Sequence, residues 1–240
     1  MATRETAKRL LSRREMNCEQ VIDALKSLAD PDYLAGMTHF AIHTDRALGV
    51  SAPRMRKLAK EIGTDHKLAM QLWESNIHEA MIIAALIDDP AQVTKSQMNN
   101  WVRQFDNWAV CDVCCGMLFD KTPFAWDKAI EWPKRKEEFV RRAGFALMAA
   151  LAVHDKKSPD KKFVPFFDII KQYADDERNF VKKAVNWALR QIGKRNIALN
   201  KKAVVVANEI RKMDSPAARW IAGDAIRELT NKKILSRLRT

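Results

Sequence analysis

The stretch Phe105–Phe119, FDNWAVCDVCCGMLF, constrains this chain more than any other. After Asn107 it is apolar almost all round, with no proline and a single glycine, so the pattern predicts a buried helix. One residue breaks the pattern, Asp112. At about 100° per residue, Trp108, Asp112, Cys115 and Phe119 share one face. Burying a carboxylate is costly unless it is paired or hydrogen-bonded, so Asp112 needs a structural partner or a chemical role. Two structural readings are open. Asp106 or Asn107 caps the helix and leaves Asp112 one turn inside, where the macrodipole still favours a negative charge, or a buried arginine from a neighbouring helix pairs with it. A catalytic carboxylate is the alternative.

The remaining sequence reads as helices separated by short breaks. Expected helices cover Glu5–Arg14, Cys18–Ala29, Pro31 to about His43, Ala52–Ile62 with Ser51 as cap, and Asp65 through Glu74. Others cover Ile77–Ile87, stopped by Asp88-Asp89-Pro90, and Thr94–Gln104 ahead of the Asp112 helix. Beyond it come Pro123–Glu131, Lys136–Val153, Phe163–Tyr173, Glu177–Lys194, Lys201–Met213 and Pro216–Thr230. With 7 glycines and 8 prolines in 240 residues and almost no strand alternation, the class is all-α. Similar pieces recur: Asn186-Trp187-Ala188-Leu189-Arg190 and Arg219-Trp220-Ile221-Ala222-Gly223 lie 33 residues apart, and Trp73 and Trp108 lie 35 apart. That interval suits helical hairpins that bury a face only by stacking on the next. The expected architecture is an α-solenoid over residues 1–240 as one domain, curving around a ligand, with a compact helical bundle as the alternative.

Charge narrows the partner. The formal net charge is +12, which favours a polyanion, nucleic acid first. Lys156–Lys202 holds thirteen basic residues against five acidic ones. In the helix Glu177–Lys194, Val181, Val185, Ala188 and Ile192 form an inward stripe. Phe180, Lys183, Trp187, Arg190 and Lys194 form a second stripe about 150° away. An indole set among cations, with Lys156 close by in the basic run, suits a groove that tracks phosphates; a solvated face with a second-layer tryptophan is the plainer reading.

Other chemistry is poorly supported. Cys111-x-x-Cys114 lacks both the strand–turn–helix setting of a thioredoxin-like site and a second ligand pair for zinc, and His39 and His43 lack the glutamate of a zinc-protease helix. No metal or cofactor is expected, there is no phosphate loop, and no apolar run reaches the roughly 18–20 residues of a membrane span. A cytoplasmic protein with reduced thiols is expected, and a monomer of this size suffices for a groove.

Taken in order, Trp108-x-x-x-Asp112, Arg142 near the start of an apolar helix, and Trp187-x-x-Arg190 resemble the DNA alkylation repair family of HEAT-like-repeat DNA glycosylases. Gly49-Val50 with Pro53-x-x-Arg56, Trp73-Glu74 with His78-Glu79, and Arg219–Leu229 echo it; Met81 departs from it, standing where a basic residue is expected. The resemblance spans nearly the whole chain. It implies HEAT-like repeats with a concave basic groove, and double-stranded DNA containing alkylated bases as partner. It also implies excision of cationic N3- and N7-alkylpurines, such as 3-methyladenine and 7-methylguanine, by hydrolysis of the glycosidic bond without base flipping. Asp112 would stabilise the sugar cation that develops as the base leaves, Trp108 and Trp187 would lie against the sugar and the lesion, and Arg142 would hold Asp112 ionised or grip a phosphate. Phe180, Lys183, Arg190, Lys194 and Lys156 would contact the DNA. Two other expectations stand beside this: a DNA-binding member without excision activity that recognises distorted or branched DNA, and a helical scaffold for protein partners.

Overall fold

Several helices begin where a short polar side chain satisfies their first N–H groups. In the computed structural model, which describes residues 15–238, Asn17 and Gln20 form a reciprocal capping box, and the carboxylate of Asp30 accepts from the N–H groups of Asp32 and Tyr33 ahead of Pro31. Asp65, Asn107, Asn196 and Ser215 cap in the same way. The helix expected over Glu5–Arg14 lies outside the described residues.

The helices divide into two units, one ending at Thr94 and one from Lys95 onward. The first contains α1 (Cys18–Ser27), α2 (Pro31–Met37), α3 (Ala52–Ile62), α4 (His66–Glu74) and α5 (His78–Ile87). Here α2 stops short of His43. A 3-10 turn follows over Thr38–Phe40, Ala41 takes a left-handed φ of 53°, and the N–H of Ile42 returns to the carbonyl of Met37 so that Ile42 can be buried. Ser51 sits at the N-cap of α3 but makes no capping bond with its side chain. The turn before it is held by Glu79, fully buried in α5, whose carboxylate accepts from the N–H groups of Leu48, Gly49 and Val50. Gly49 has a φ of 79°, and a Cβ there would collide with the carbonyl oxygen of Asp30. The Gly49-Val50 and His78-Glu79 motifs thus join in one structural contact. Met81 is in the core, where a cation would be stranded.

The second unit contains α6 (Lys95–Val102), α7 (Trp108–Val113), α8 (Ala125–Glu131), α9 (Glu138–His154), α10 (Val164–Gln172), α11 (Asn179–Gly193), α12 (Ile197–Ile210), α13 (Pro216–Leu229) and α14 (Lys232–Leu235). These stack in two layers. In one, α7 packs on α9, α9 on α11 and α11 on α13; in the other, α10 packs on α12, and Trp126 of α8 stacks on Phe166 of α10 with ring centres 5.3 Å apart. Each helix of the first layer reaches forward to a main-chain carbonyl of the next. The thiols of Cys111 and Cys115 donate to Phe139 and Ala143, Arg142 to Phe180, and Asn186 to Ile221. This is the stacking of helical hairpins that the sequence spacing predicts. The 33-residue echo is structural too: Ala184, Val185, Ala188, Leu189 and Ile192 are buried, as are Ala217, Ala218, Ile221, Ala222 and Ala225. The pair 35 apart is not equivalent, since Trp73 is in the core and Trp108 is half-buried. No strand occurs among the described residues, and none of their helices is long and apolar enough to cross a membrane.

The central segment departs from a single α-helix. After Val113 it widens into a π-helix over Cys114–Leu118 and then tightens to a 3-10 turn over Phe119–Lys121. The extra residue seats Leu118 and Phe119 in the core, where Phe119 meets Trp101 and Trp132, with centroids 6.2 and 6.0 Å apart.

Candidate active site

Asn107 places the site. Its side chain accepts from the N–H groups of Ala109 and Val110, starting α7 at Trp108, so Asp112 falls one turn further along on the same face as that indole. Asp112 keeps 23% of its side chain exposed, while Arg142, four residues into α9, keeps 7%. The two meet in a bidentate pair: Nε of Arg142 donates to Oδ1 at 3.0 Å and Nη2 to Oδ2 at 2.7 Å. The remaining terminal nitrogen donates to the carbonyl oxygen of Phe180 at 2.7 Å, drawing the first turn of α11 to the same point. Both structural expectations for the central helix are met, the Asn107 cap and the buried arginine.

Burial raises the pKa of the Asp112 carboxyl, and the Arg142 guanidinium opposes that rise through its charge and its hydrogen bonds. Burial also works against the Arg142 cation, but the Asp112 carboxylate outweighs it and leaves the guanidinium firmly protonated. Behind the pair, burial pushes the Cys115 thiol well above its usual range, so it behaves as packing. Cys111 and Cys114 are also fully buried.

The second stripe of α11 is arranged as its spacing predicts, with Val181, Val185, Ala188 and Ile192 inside and Trp187 half-buried on the other side. Phe180 packs on Phe139 at 5.3 Å and lies beside Arg142; Trp187 is seven residues, about 10 Å, further along the helix. Lys183 and Lys156 are exposed. Arg190 and Lys194 are engaged differently: both pair with Glu228 of α13, and Arg190 also approaches Asp224 at 3.6 Å. Glu228 and Asp224 escape a local reading of α11. Glu228 lies 38 and 34 residues beyond the cations it binds, near one repeat length, and that spacing is the signal that could have found it. Phe139, three residues before Arg142, is a further aromatic at the site that local spacing does not mark.

The charge is unevenly shared. Residues 95–240 carry 30 basic and 17 acidic side chains, whereas residues 1–94 carry 12 and 13, so the whole positive excess lies in the unit that holds the Asp112–Arg142 pair.

The fold and the pair together define a helical-repeat protein with a guarded carboxylate on a basic unit, and the comparisons agree on the helical-repeat fold. A solved structure described as "a new family of proteins related to the HEAT-like repeat DNA glycosylases with affinity for branched DNA structures" superposes with a TM-score of 0.74. It shares 21% identity and covers 88% of this chain and 95% of its own. Residues 21–229 match the family described as DNA alkylation repair enzyme, and the chain belongs to that family. No curated protein matches it.

Proposed function

We propose that this protein is a monofunctional DNA glycosylase that excises cationic alkylated purines, such as 3-methyladenine and 7-methylguanine, from duplex DNA. One observation carries the reading: the partly exposed Asp112 carboxylate, one helical turn from a half-buried tryptophan, held by Arg142. Alkylation at N3 or N7 makes the purine a cationic leaving group, and the glycosidic bond breaks with positive charge growing on the deoxyribose. A carboxylate fixed in a partly dry site stabilises that charge with little reorganisation and can orient water towards C1′. Arg142 occupies one lone pair on each Asp112 oxygen and leaves the others able to accept. Trp108 offers an indole face to the sugar, and Trp187, two turns beyond Phe180, offers one to the cationic base. Because the carboxylate approaches from the sugar side, the base need not leave the stack. Lys183, Lys156 and the cations of α11 would hold the backbone in a basic groove, and the protein would act as a monomer in the cytoplasm.

A second reading, a binder of branched DNA without excision activity, draws on what is said of the structural neighbour and on Arg142 closing over both oxygens of Asp112. Base release from methylated duplex separates the two. Asp112→Asn should lower single-turnover release by about 10²–10³-fold while DNA affinity and circular dichroism stay near wild type. Release by the variant at the wild-type rate removes Asp112 from the chemistry. No release by the wild-type protein across several lesions, with DNA binding intact, leaves the second reading.

A further inference from the structure

We infer that the loop Asp155–Lys162, between α9 and α10, is a second DNA-backbone contact that Arg195 holds in shape; the inference rests on the DNA-binding part of the reading above. The segment DKKSPDKK places four lysines among eight residues, an arrangement whose mutual repulsion would favour a spread, mobile loop. The structure instead fixes it. The guanidinium of Arg195, seated over the Phe163 ring at 4.0 Å, donates to the main-chain carbonyls of Ala152, Asp155 and Ser158 at 2.9, 2.8 and 3.3 Å. Asp155 accepts from the N–H groups of Lys157 and Ser158 and from the Ser158 hydroxyl, and the Asn196 amide binds both oxygens of Asp160 at 2.9 Å.

These bonds separate the charges by sign. Both acids of the loop are occupied in holding it, while Lys156, Lys157 and Lys161 stay exposed and Lys162 rests 4.1 Å over the Trp126 ring. Such a face gathers counterions, and a phosphate backbone that displaces them gains the entropy of their release. The loop's main chain is already ordered, so binding loses little further backbone entropy. His154, at the loop's edge, is twelve residues along α9 from Arg142, about 18 Å. The loop is therefore close enough to Arg142 for one duplex with a sugar at Asp112 to reach both.

The test is the dependence of log Kd on log salt for an undamaged duplex, which needs no base release. Replacing Lys156, Lys157 and Lys161 together by Gln should make the slope shallower by about 2–3. The same charge change at exposed Lys57, Lys60 and Lys67 of the first unit should shift it by less than about 1. Arg195→Lys, which keeps the charge but cannot bridge three carbonyls, should flatten the slope by about 1. A triple loop variant with the wild-type slope, or a control triple that loses as much, overturns the loop assignment alone. A wild-type protein whose binding to DNA ignores salt overturns the DNA reading itself.

Discussion

Arg142 binds three oxygens on two neighbouring helices from a position almost closed to water, and its removal would strand a carboxylate that burial already disfavours. Arg142→Ala should therefore cost about 2–4 kcal/mol in urea unfolding, somewhat below a fully buried pair because Asp112 is partly exposed. Arg142→Lys should recover little, since one ammonium cannot serve both carboxylate oxygens and the Phe180 carbonyl. The raised pKa of Asp112 has a sign that can be checked. The folded protein holds this proton more tightly than the unfolded chain does, so ionised Asp112 is a cost to stability, absent in acid and present once pH has risen through the folded pKa. Excision should then fail on acidification at a higher pH than an ordinary aspartate near 3.9 would give, and Asp112→Asn should abolish that limb of the pH–rate profile. Asp176 and Glu228 run the other way. Burial would raise both, but Arg178 and Arg141 outweigh it for Asp176, and Lys194 and Arg190 for Glu228. Their stabilisation is present above the unfolded carboxylate range and is lost as pH falls through the lowered folded values.

Among the elements, helix caps and buried stripes are legible in the sequence because both are local: Asn107 caps α7, Asp65 caps α4, and the two faces of α11 lie as the 100° rotation puts them. The π-helix over Cys114–Leu118 is not legible, because Cys, Gly, Met and Leu suit an α-helix equally well and the rings of Trp101, Phe105 and Trp132, none of them in the helix itself, fix where Phe119 must sit. The end of α2 is hidden for a similar reason: the pull on Ile42 comes from the core, against a left-handed alanine. Glycines within helices test how well the packing is understood. Gly223, on the exposed side of α13, has open space where a Cβ would go; Gly193, at the end of α11, would place one 2.8 Å from both Ala203 and Leu229. Gly223→Ala should raise stability by about 0.5–1 kcal/mol, and Gly193→Ala should lower it by about 1–3 kcal/mol, read from denaturant midpoints at constant m.

Over the whole molecule, composition reveals the excess of cations but not which of them are free. Arg190 and Lys194 look available when α11 is read alone, and the structure pairs them with Glu228 one repeat later. Glu228→Gln would remove one negative charge, release Lys194, and leave Arg190 only its 3.6 Å approach to Asp224. If they then meet phosphates, the salt dependence of DNA binding should steepen by about 1–2 in slope, and a slope equal to wild type would show that they lie off the DNA path. Repeat stacking is legible from the 33-residue echo, whereas the bonds that join the repeats fall between segments 28 to 43 residues apart, beyond the reach of local pattern. The forward reach of each first-layer helix to the next also bears on how the chain loosens. A row of links that each fasten only adjacent neighbours behaves like a zip, so the α12–α14 end can part by giving up one seam, Asn186 to Ile221 among its stitches, while the carboxylate and its arginine two seams back stay closed. Amide exchange should accordingly quicken towards that terminus; under the proposed function, this would give the lesion site a firm seat and the far end enough play to close around a curved or uneven helix of DNA.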